Sequence, residues 1–474
     1  MKEYEIVIGL EVHVELLTSS KLFCSCSTKF GASPNSQICP ICAGLPGILP
    51  VINQKAVELG LKTAIALNFK ISPCSRFSRK HYFYPDLPKN YQISQHREPL
   101  ATEGAIWVDN RNIRINSIHL EEDVGKLIHS EGNTSFSLVD LNRSGVPLIE
   151  IVTEPDIRSS LEAEKLLITL KRILEYLEVS DCNMEEGSLR CDANISVRKR
   201  GDAILGVKVE IKNMNSFKMI RKALDYEARR QVFCLKEGGT LKQETRLWNE
   251  KLQITEEMRA KEETQDNFSF LDPDLPPLVF DKKIIEEIAA QVGEMPIQRK
   301  ERFIKDYMLS EYDAEVLTSK KDIADYFEKC IEKGCKAKAI TNWIMGPLIA
   351  LLKLEKKGIA LSPITPEYLV QIVSMVEQNK ITGVVAKTVL QESFDTGVSP
   401  EEIVSKKNLL QIESDETISG VVKEVIADNP EAVKDYQEGK EQALSFLIGQ
   451  IMRKTKGKAN PNTVKSKLQE YLNK

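Results

Sequence analysis

A chain of 474 residues, 42% hydrophobic and 28% charged, has enough apolar material for two or three domains with cores of their own. Its formal net charge of -4 excludes a global pull toward nucleic acid, so any RNA contact has to come from a local patch. No apolar run reaches the roughly 20 residues of a membrane span, and Met1-Lys2-Glu3-Tyr4 leads straight into a strand pattern, so a cytoplasmic protein without a leader is expected.

The first predicted element is a strand from Glu3 to Leu16, in which Ile6, Ile8, Leu10, Val12, Val14 and Leu16 alternate with polar residues. Side chains of a strand repeat every second residue, so Glu11, His13 and Glu15 share the other face. Such a row either binds a hard divalent cation or is the solvated side of a half-wet strand. Next come Cys24-Ser25-Cys26 and Cys39-Pro40-Ile41-Cys42, four of the ten cysteines within nineteen residues. Thiolates at these spacings converge on one tetrahedral ion, with Zn–S about 2.3 Å. Two disulfides or unrelated core thiols are the alternatives, although short-spaced pairs of this kind seldom arise from packing alone. The remaining six cysteines are scattered, as reduced thiols in a cytosol are.

A helix over Gln54–Leu67 precedes the stretch Arg79-Lys80-His81-Tyr82-Phe83-Tyr84-Pro85-Asp86-Leu87-Pro88-Lys89. Its cations and aromatics on a proline-shaped loop suit a phosphate and a base or ribose, or else a buried structural loop. Short strands are predicted at Ala105–Val108, Ile113–Leu120, Ser135–Leu141, Leu148–Thr153, Ser188–Arg198 and Leu205–Lys212. The apolar residues of Ser160–Leu177 recur at helical spacing. Sequential strands with few crossover helices predict an α+β protein built on a mainly antiparallel sheet. Acidic residues gather at the strand ends: Glu121-Glu122-Asp123, Glu150, Glu154, Glu185-Glu186, Asp192 and Glu210. Alternation in Leu189–Val197 sets Arg190, Asp192 and Asn194 on one face, and Glu210 lies opposite Val209 and Ile211. Together with Glu11 and His13 these would line a polar sheet face whose self-repulsion a bound Mg²⁺ resolves, the alternative for each being an ordinary surface carboxylate. The chain has no G-x-x-x-x-G-K-[ST] phosphate loop, no G-x-S-x-G elbow and no tandem-serine amidase stretch. Any ATP is therefore held in another way, and an amide is not hydrolysed by this chain alone.

The proline-rich run Leu271–Leu278 reads as an extended boundary, after which the period is helical. A break near Asp395–Pro400 separates a helical middle from a tail. The expected domains are residues 1–290, carrying the sheet and the four cysteines, 291–400, all helical, and 401–474, a small helical tail. From Glu441 to Lys474 in that tail, Arg453, Lys454, Lys456, Lys458, Lys465, Lys467 and Lys474 stand against only Glu441 and Glu470. Leu444, Phe446, Leu447, Ile451 and Met452 are expected to form its buried side and leave the cations facing outward, as an RNA-contacting patch does, the alternative being a solvated lysine-rich terminus.

Several strings carry a resemblance. They are Ile8-Gly9-Leu10-Glu11-Val12-His13-Val14, Phe83-Tyr84-Pro85-Asp86-Leu87-Pro88-Lys89, His119-Leu120-Glu121-Glu122-Asp123, Gly145–Asp156, Met184–Asp192, Glu210-Ile211-Lys212-Asn213 and the tail's Gly449-Gln450-Ile451-Met452. Across essentially the whole chain the sequence resembles the B subunits of bacterial aspartyl/glutamyl-tRNA(Asn/Gln) amidotransferases, the GatB/GatE family, with a YqeY-like tail. The resemblance implies a ligase that uses ATP and Mg²⁺ to phosphorylate the side-chain carboxylate of Glu-tRNA(Gln) or Asp-tRNA(Asn). Ammonia channelled from a partner amidase A subunit then gives Gln-tRNA(Gln) or Asn-tRNA(Asn), and a small C subunit completes the heterotrimer. It places Glu11, His13, Glu122, Glu185, Glu186 and Glu210 in metal and phosphate chemistry, Glu11, His13 and Glu122 being the expected Mg²⁺ ligands. Arg79, Lys80 and Tyr82 fall near the phosphates or the tunnel mouth, and Arg453, Lys454, Lys456, Lys458, Lys465 and Lys467 on the tRNA. Cys24, Cys26, Cys39 and Cys42 are carried by part of the family, which implies a structural Zn²⁺, since four thiolates fill the tetrahedron. The run Asn267-Phe268-Ser269-Phe270-Leu271 departs from the family's aromatic and arginine-bearing pattern. A non-catalytic, zinc-bearing tRNA-binding protein is the alternative, against which the acidic rows speak, since they repel RNA.

Overall fold

The computed structural model describes residues 3–109, 111–129, 136–258, 268–412 and 414–472, which form two compact units, Met1–Met295 and Pro296–Lys474. Lys474 and Asn267 lie outside the described residues, as does Ser135 at the start of one predicted strand.

The first unit is built on fifteen strands among the described residues. They begin with β1 (Tyr4–Glu15), β2 (Lys70–Ile71), β3 (Cys74–His81), β4 (Tyr91–Glu98) and β5 (Ala101–Val108). Then come β6 (Arg111–Glu122), β7 (Lys126–His129), β8 (Ser137–Asp140), β9 (Pro147–Thr153) and β10 (Leu189–Lys199). The last are β11 (Val209–Lys212), β12 (Glu244–Asn249), β13 (Ile254–Glu257), β14 (Ser269–Leu271) and β15 (Leu278–Val279). The main path of the sheet runs β13-β12-β11-β10-β1-β9-β6-β4-β3-β14, and β7 and β8 form a separate ribbon. Every pairing along that path is antiparallel except β11 with β12.

Three helices, α1 (Gln54–Ala66), α2 (Ser160–Tyr176) and α3 (Phe217–Lys236), pack on the sheet. Each starts where a side-chain oxygen accepts from otherwise orphaned backbone N–H groups: Asn53 from Lys55 and Ala56, Ser159 from Glu162, Ser216 from Met219. Ile8, Leu10, Val12 and Val14 of β1 enter the core beside Leu59, Leu166, Leu170 and Ala223, and this commits Glu11 and His13 to the opposite face.

Strand β6 changes phase. Ile115 pairs with Thr153 while Ser117 pairs with Val152, so an extra residue is bulged out between them. Ile113 and Ile115 point to the core before the bulge, and Ile118 and Leu120 after it. His119, Glu121 and Asp123 consequently face away from the core side, and Glu122 follows Leu120.

The second unit is helical throughout its described residues and holds two apolar clusters. One runs from Phe303 to Leu409, the other from Ile412 to Leu472. Gly397 takes a left-handed φ of 70°, which ends the helix Gly383–Thr396, and Pro400 opens the next. That helix, Pro400–Lys406, buries Ile403 and Val404 in the first of the two clusters. Among the described residues no helix is long and apolar enough to cross a membrane.

Candidate active site

Antiparallel register assembles the site. His119 of β6, Glu150 of β9, His13 of β1 and Arg190 of β10 are successive cross-strand partners and form one polar row. Beside it Glu11 pairs with Asp192, and Asn194 with Glu210. Most of these side chains line an open cavity of about 350 Å³, together with Lys80, Gln92, Glu121, Asp123 and Lys212.

Ligand atoms of His13, Glu121 and Glu150 all lie within 4.8 Å of one another. His13 Nε2 is 3.6 Å from Glu121 Oε1 and 4.0 Å from Glu150 Oε1, while His119 Nε2 holds the other Glu150 oxygen at 3.1 Å. Asn194 donates to Glu11 at 2.8 Å, Thr245 to Glu210 at 2.8 Å, and Lys212 reaches Asp192 at 2.9 Å and Glu210 at 3.2 Å. Every carboxylate of the cavity's β1–β10–β11 side therefore has a fixed orientation.

The electrostatics suit a bound cation. Burial, then the charge of Glu150, pushes the Glu121 carboxyl up to about 8. Burial and Glu150 raise Glu11 as well. Burial also works against ionising Glu150, but the hydrogen bond from His119 and the charges of His119, His13 and Lys80 prevail and bring it down to about 2. Burial lowers the His13 pKa against the pull of Glu150. A neutral imidazole and crowded carboxyl groups are a donor set for a hard divalent cation, which would relieve their repulsion.

The structure separates residues that the sequence pattern groups together. Glu121, not Glu122, stands beside His13; Glu122 lies on the other side of the sheet, buried, paired with Lys89 and accepting from Ile93 N–H at 2.9 Å. Glu185 and Glu186 sit exposed on the turn before β10 and do not line the cavity. Lys80 lines it, whereas Arg79, one residue earlier and on the opposite face, is taken up by Asp272 at 2.7 Å and Asp274 at 2.6 Å with Tyr91 beneath its guanidinium. Tyr82 packs its ring against Tyr84 and is absent from the lining. The predicted loop is in fact the end of β3 leading into a turn. Glu121, Glu150, His119, Asp123 and Arg190 received no individual role from the sequence. The signal for the three of β6 and its end was parity: Ile118 and Leu120 mark the core face, so His119, Glu121 and Asp123 had to share the other.

Sγ atoms of Cys24, Cys26, Cys39 and Cys42 lie within 4.8 Å of one another. The C-x-x-C turn is closed by Ala43 N–H on Cys39 C=O at 3.0 Å, and Cys39 N–H donates to Cys42 Sγ at 3.2 Å. A hydrogen bond from Cys24 lowers the Cys42 thiol to about 4 against its burial, helped by the Cys39 N–H and the Lys21 charge, while burial and Cys39 raise Cys26 to about 11. Crowded sulfurs of which one ionises readily fit a thiophilic cation. Asn35 and Asn142 staple the loop between the two cysteine pairs to the Val139–Asn142 segment.

In the second unit Arg453, Lys454, Lys456 and Lys465 are exposed, and Lys458 and Lys467 half-buried. Lys454 is spent on Asp428 at 2.7 Å and Glu424 at 3.3 Å, so the patch is less cationic than the sequence count implied, and Lys458 is held by the Asn408 carbonyl at 2.5 Å. Phe446 is 49% exposed instead of joining Leu447 and Ile451 in the core.

The sheet face sets three groups that could hold a cation among lysine and arginine side chains, an arrangement suited to anionic, oxygen-rich groups. The family model described as the GatB/GatE catalytic domain matches residues 6–286, and one described as GatB domain matches residues 325–472. The B subunit of the aspartyl/glutamyl-tRNA(Asn/Gln) amidotransferase of Carboxydothermus hydrogenoformans is 52% identical over 481 residues, covering 100% of both chains. The protein of the same name from Caldanaerobacter subterraneus is 53% identical over 476 residues, again with 100% of both, and that from Moorella thermoacetica 50% over 99% of this chain and 100% of its own. The chain belongs to the GatB/GatE family, the B-subunit line of the tRNA-dependent amidotransferase ligases.

Proposed function

We propose that this chain activates and amidates the aminoacyl end of mischarged Glu-tRNA(Gln), Asp-tRNA(Asn) or both, in the cytoplasm, as the B subunit of a heterotrimer with an amidase A subunit and a small C subunit. The observation that supports this most is the His13–Glu121–Glu150 trio inside a cavity that also presents Lys80, Arg190 and Lys212. A carboxylate is a poor electrophile, because attack on it has no good leaving group. If its oxygen attacks the γ-phosphorus of ATP, the bond to the bridging oxygen breaks, ADP departs and an acyl phosphate remains. Ammonia attacks the acyl carbon, phosphate leaves with the electrons of the C–O bond, and a proton lost from nitrogen completes the amide. Mg²⁺, when bound, supplies charge neutralisation for the phosphates. His13, Glu121 and Glu150 would hold it, and Glu11, Asp192 and Glu210 lie on the same face. His119 keeps Glu150 ionised and turned toward the trio. Asn194 and Lys212 fix the remaining carboxylates, so the site needs little reorganisation when charge arrives. The four cysteines would hold Zn²⁺ with no open position, and the exposed cations of the tail would meet tRNA phosphates.

The test is conversion of mischarged tRNA by the complex assembled with its A and C partners. ATP and glutamine together should yield Gln-tRNA or Asn-tRNA with one ADP per amide. A non-catalytic RNA-binding protein would bind the tRNA and leave its aminoacyl group unchanged whatever nucleotide is present.

A further inference from the structure

Arg190 has a position in the cavity that its protein contacts do not use up. It is the cross-strand partner of His13, in the row that carries the cation trio, and its side chain remains 34% exposed. One terminal nitrogen donates to Asp123 Oδ2 at 2.8 Å. Its Nε–H is buried and has no acceptor among the described residues. A guanidinium is a planar fork of five donors of which Asp123 engages one terminal nitrogen, so the exposed part of the fork is open to an anion entering the cavity.

The aim of that fork is fixed from behind. Asp123 is buried, receives Val124 N–H at 2.7 Å and lies 3.4 Å from Arg143 Nε. Arg143 in turn donates to the carbonyls of Val124 and Gly125, each at 2.9 Å. Lys212, by contrast, is already divided between Asp192 and Glu210.

Resting on the proposed phosphoryl transfer, we infer that Arg190 is a catalytic residue that clamps the phosphoryl group in transit between nucleotide and aminoacyl carboxylate. Asp123 and Arg143 are its positioning residues. Charge on the equatorial oxygens of a phosphoryl group is spread in one plane during transfer, and a planar, preset guanidinium stabilises that state more than the bound nucleotide. Lysine keeps the charge but not the fork, so the two are not interchangeable here.

The experiment uses the assembled complex with mischarged tRNA and γ-labelled ATP, without glutamine, in single turnover. Arg190→Gln should slow label transfer about 100-fold and Arg190→Lys about tenfold, with ADP affinity within about threefold of wild type. Affinity for ADP with aluminium fluoride, which mimics the planar phosphoryl, should fall in parallel with the rate. Added guanidinium ion should restore part of the transfer in Arg190→Ala without moving its melting temperature, which a purely structural role would not allow. Transfer by Arg190→Lys within threefold of wild type overturns the inference, as does a loss of ADP affinity that matches the loss of rate. Should the wild-type complex itself transfer no label, the functional reading falls, an outcome distinct from both.

Discussion

Glu121 and Glu122 are chain neighbours with opposite surroundings. Glu121 crowds Glu150 and prefers to be neutral without a cation, whereas Glu122 is paired with Lys89 on the buried side of the sheet. Both letters read alike in His119–Asp123; only the parity of Ile118 and Leu120 after the β6 bulge tells them apart. The polar row of β1 was legible because its alternation is unbroken, and it led to Glu11 and His13 directly. Breaking a buried ion pair leaves an uncompensated charge, so Glu122→Gln should destabilise the protein by about 3 kcal/mol or more. Glu121→Gln removes a group that is already reluctant to ionise, and metal-free stability should stay within about 1 kcal/mol of wild type. Denaturant unfolding of the two metal-free variants checks this; equal losses would mean that the two carboxyls do not have the separate roles that the sheet gives them.

Among the elements, strands with alternating apolar residues were readable to within a few positions: Glu3–Leu16 is β1, Leu148–Thr153 is β9 and Ser188–Arg198 is β10. Helices Gln54–Leu67 and Ser160–Leu177 were readable from apolar spacing. β3 and β4 were not, because Cys74–His81 and Tyr91–Glu98 carry cations, glutamines and histidines and take their strand form from their neighbours in the sheet. Predicted Leu205–Lys212 shortens to β11, Val209–Lys212. The cysteine element was legible through spacing alone, since two short turns are all that the geometry needs. Its turn packs tightly: a Cβ on Gly44 would meet Lys89 Cγ at 2.7 Å, so the cysteine turn and the Lys89–Glu122 pair support each other. Purified protein should hold about one zinc, and Cys39→Ser should lose it and melt at lower temperature, because a structural zinc contributes on the order of 10 kcal/mol of apparent folding free energy. A metal-free preparation with unchanged melting would contradict this.

For the whole molecule, charge counted along the chain overstated the tail. Residues Glu424 and Asp428, outside the window that was counted, fold back onto Lys454. Such compensation depends on tertiary neighbours and is invisible to a local count. Arg453 and Lys465 are exposed and are the better sites for a phosphate contact. Each lost contact lowers the slope of log affinity against log salt by about 1. Arg453→Glu with Lys465→Glu should therefore weaken tRNA binding at low salt and flatten its salt dependence, with ATP affinity unaltered; an unchanged slope would remove the tail from the tRNA path.

The proposed activity rests on one cavity performing phosphoryl transfer to the aminoacyl carboxylate. Its most direct test is transfer of the γ-phosphate from ATP to mischarged tRNA in the assembled complex, comparing wild type with Glu121→Gln and Glu11→Gln. Both substitutions keep shape and remove a hard anionic ligand, and each should cut transfer by about 100-fold while glutamine hydrolysis on the partner chain persists. Transfer at the wild-type rate in both variants would place the reaction somewhere other than this sheet face.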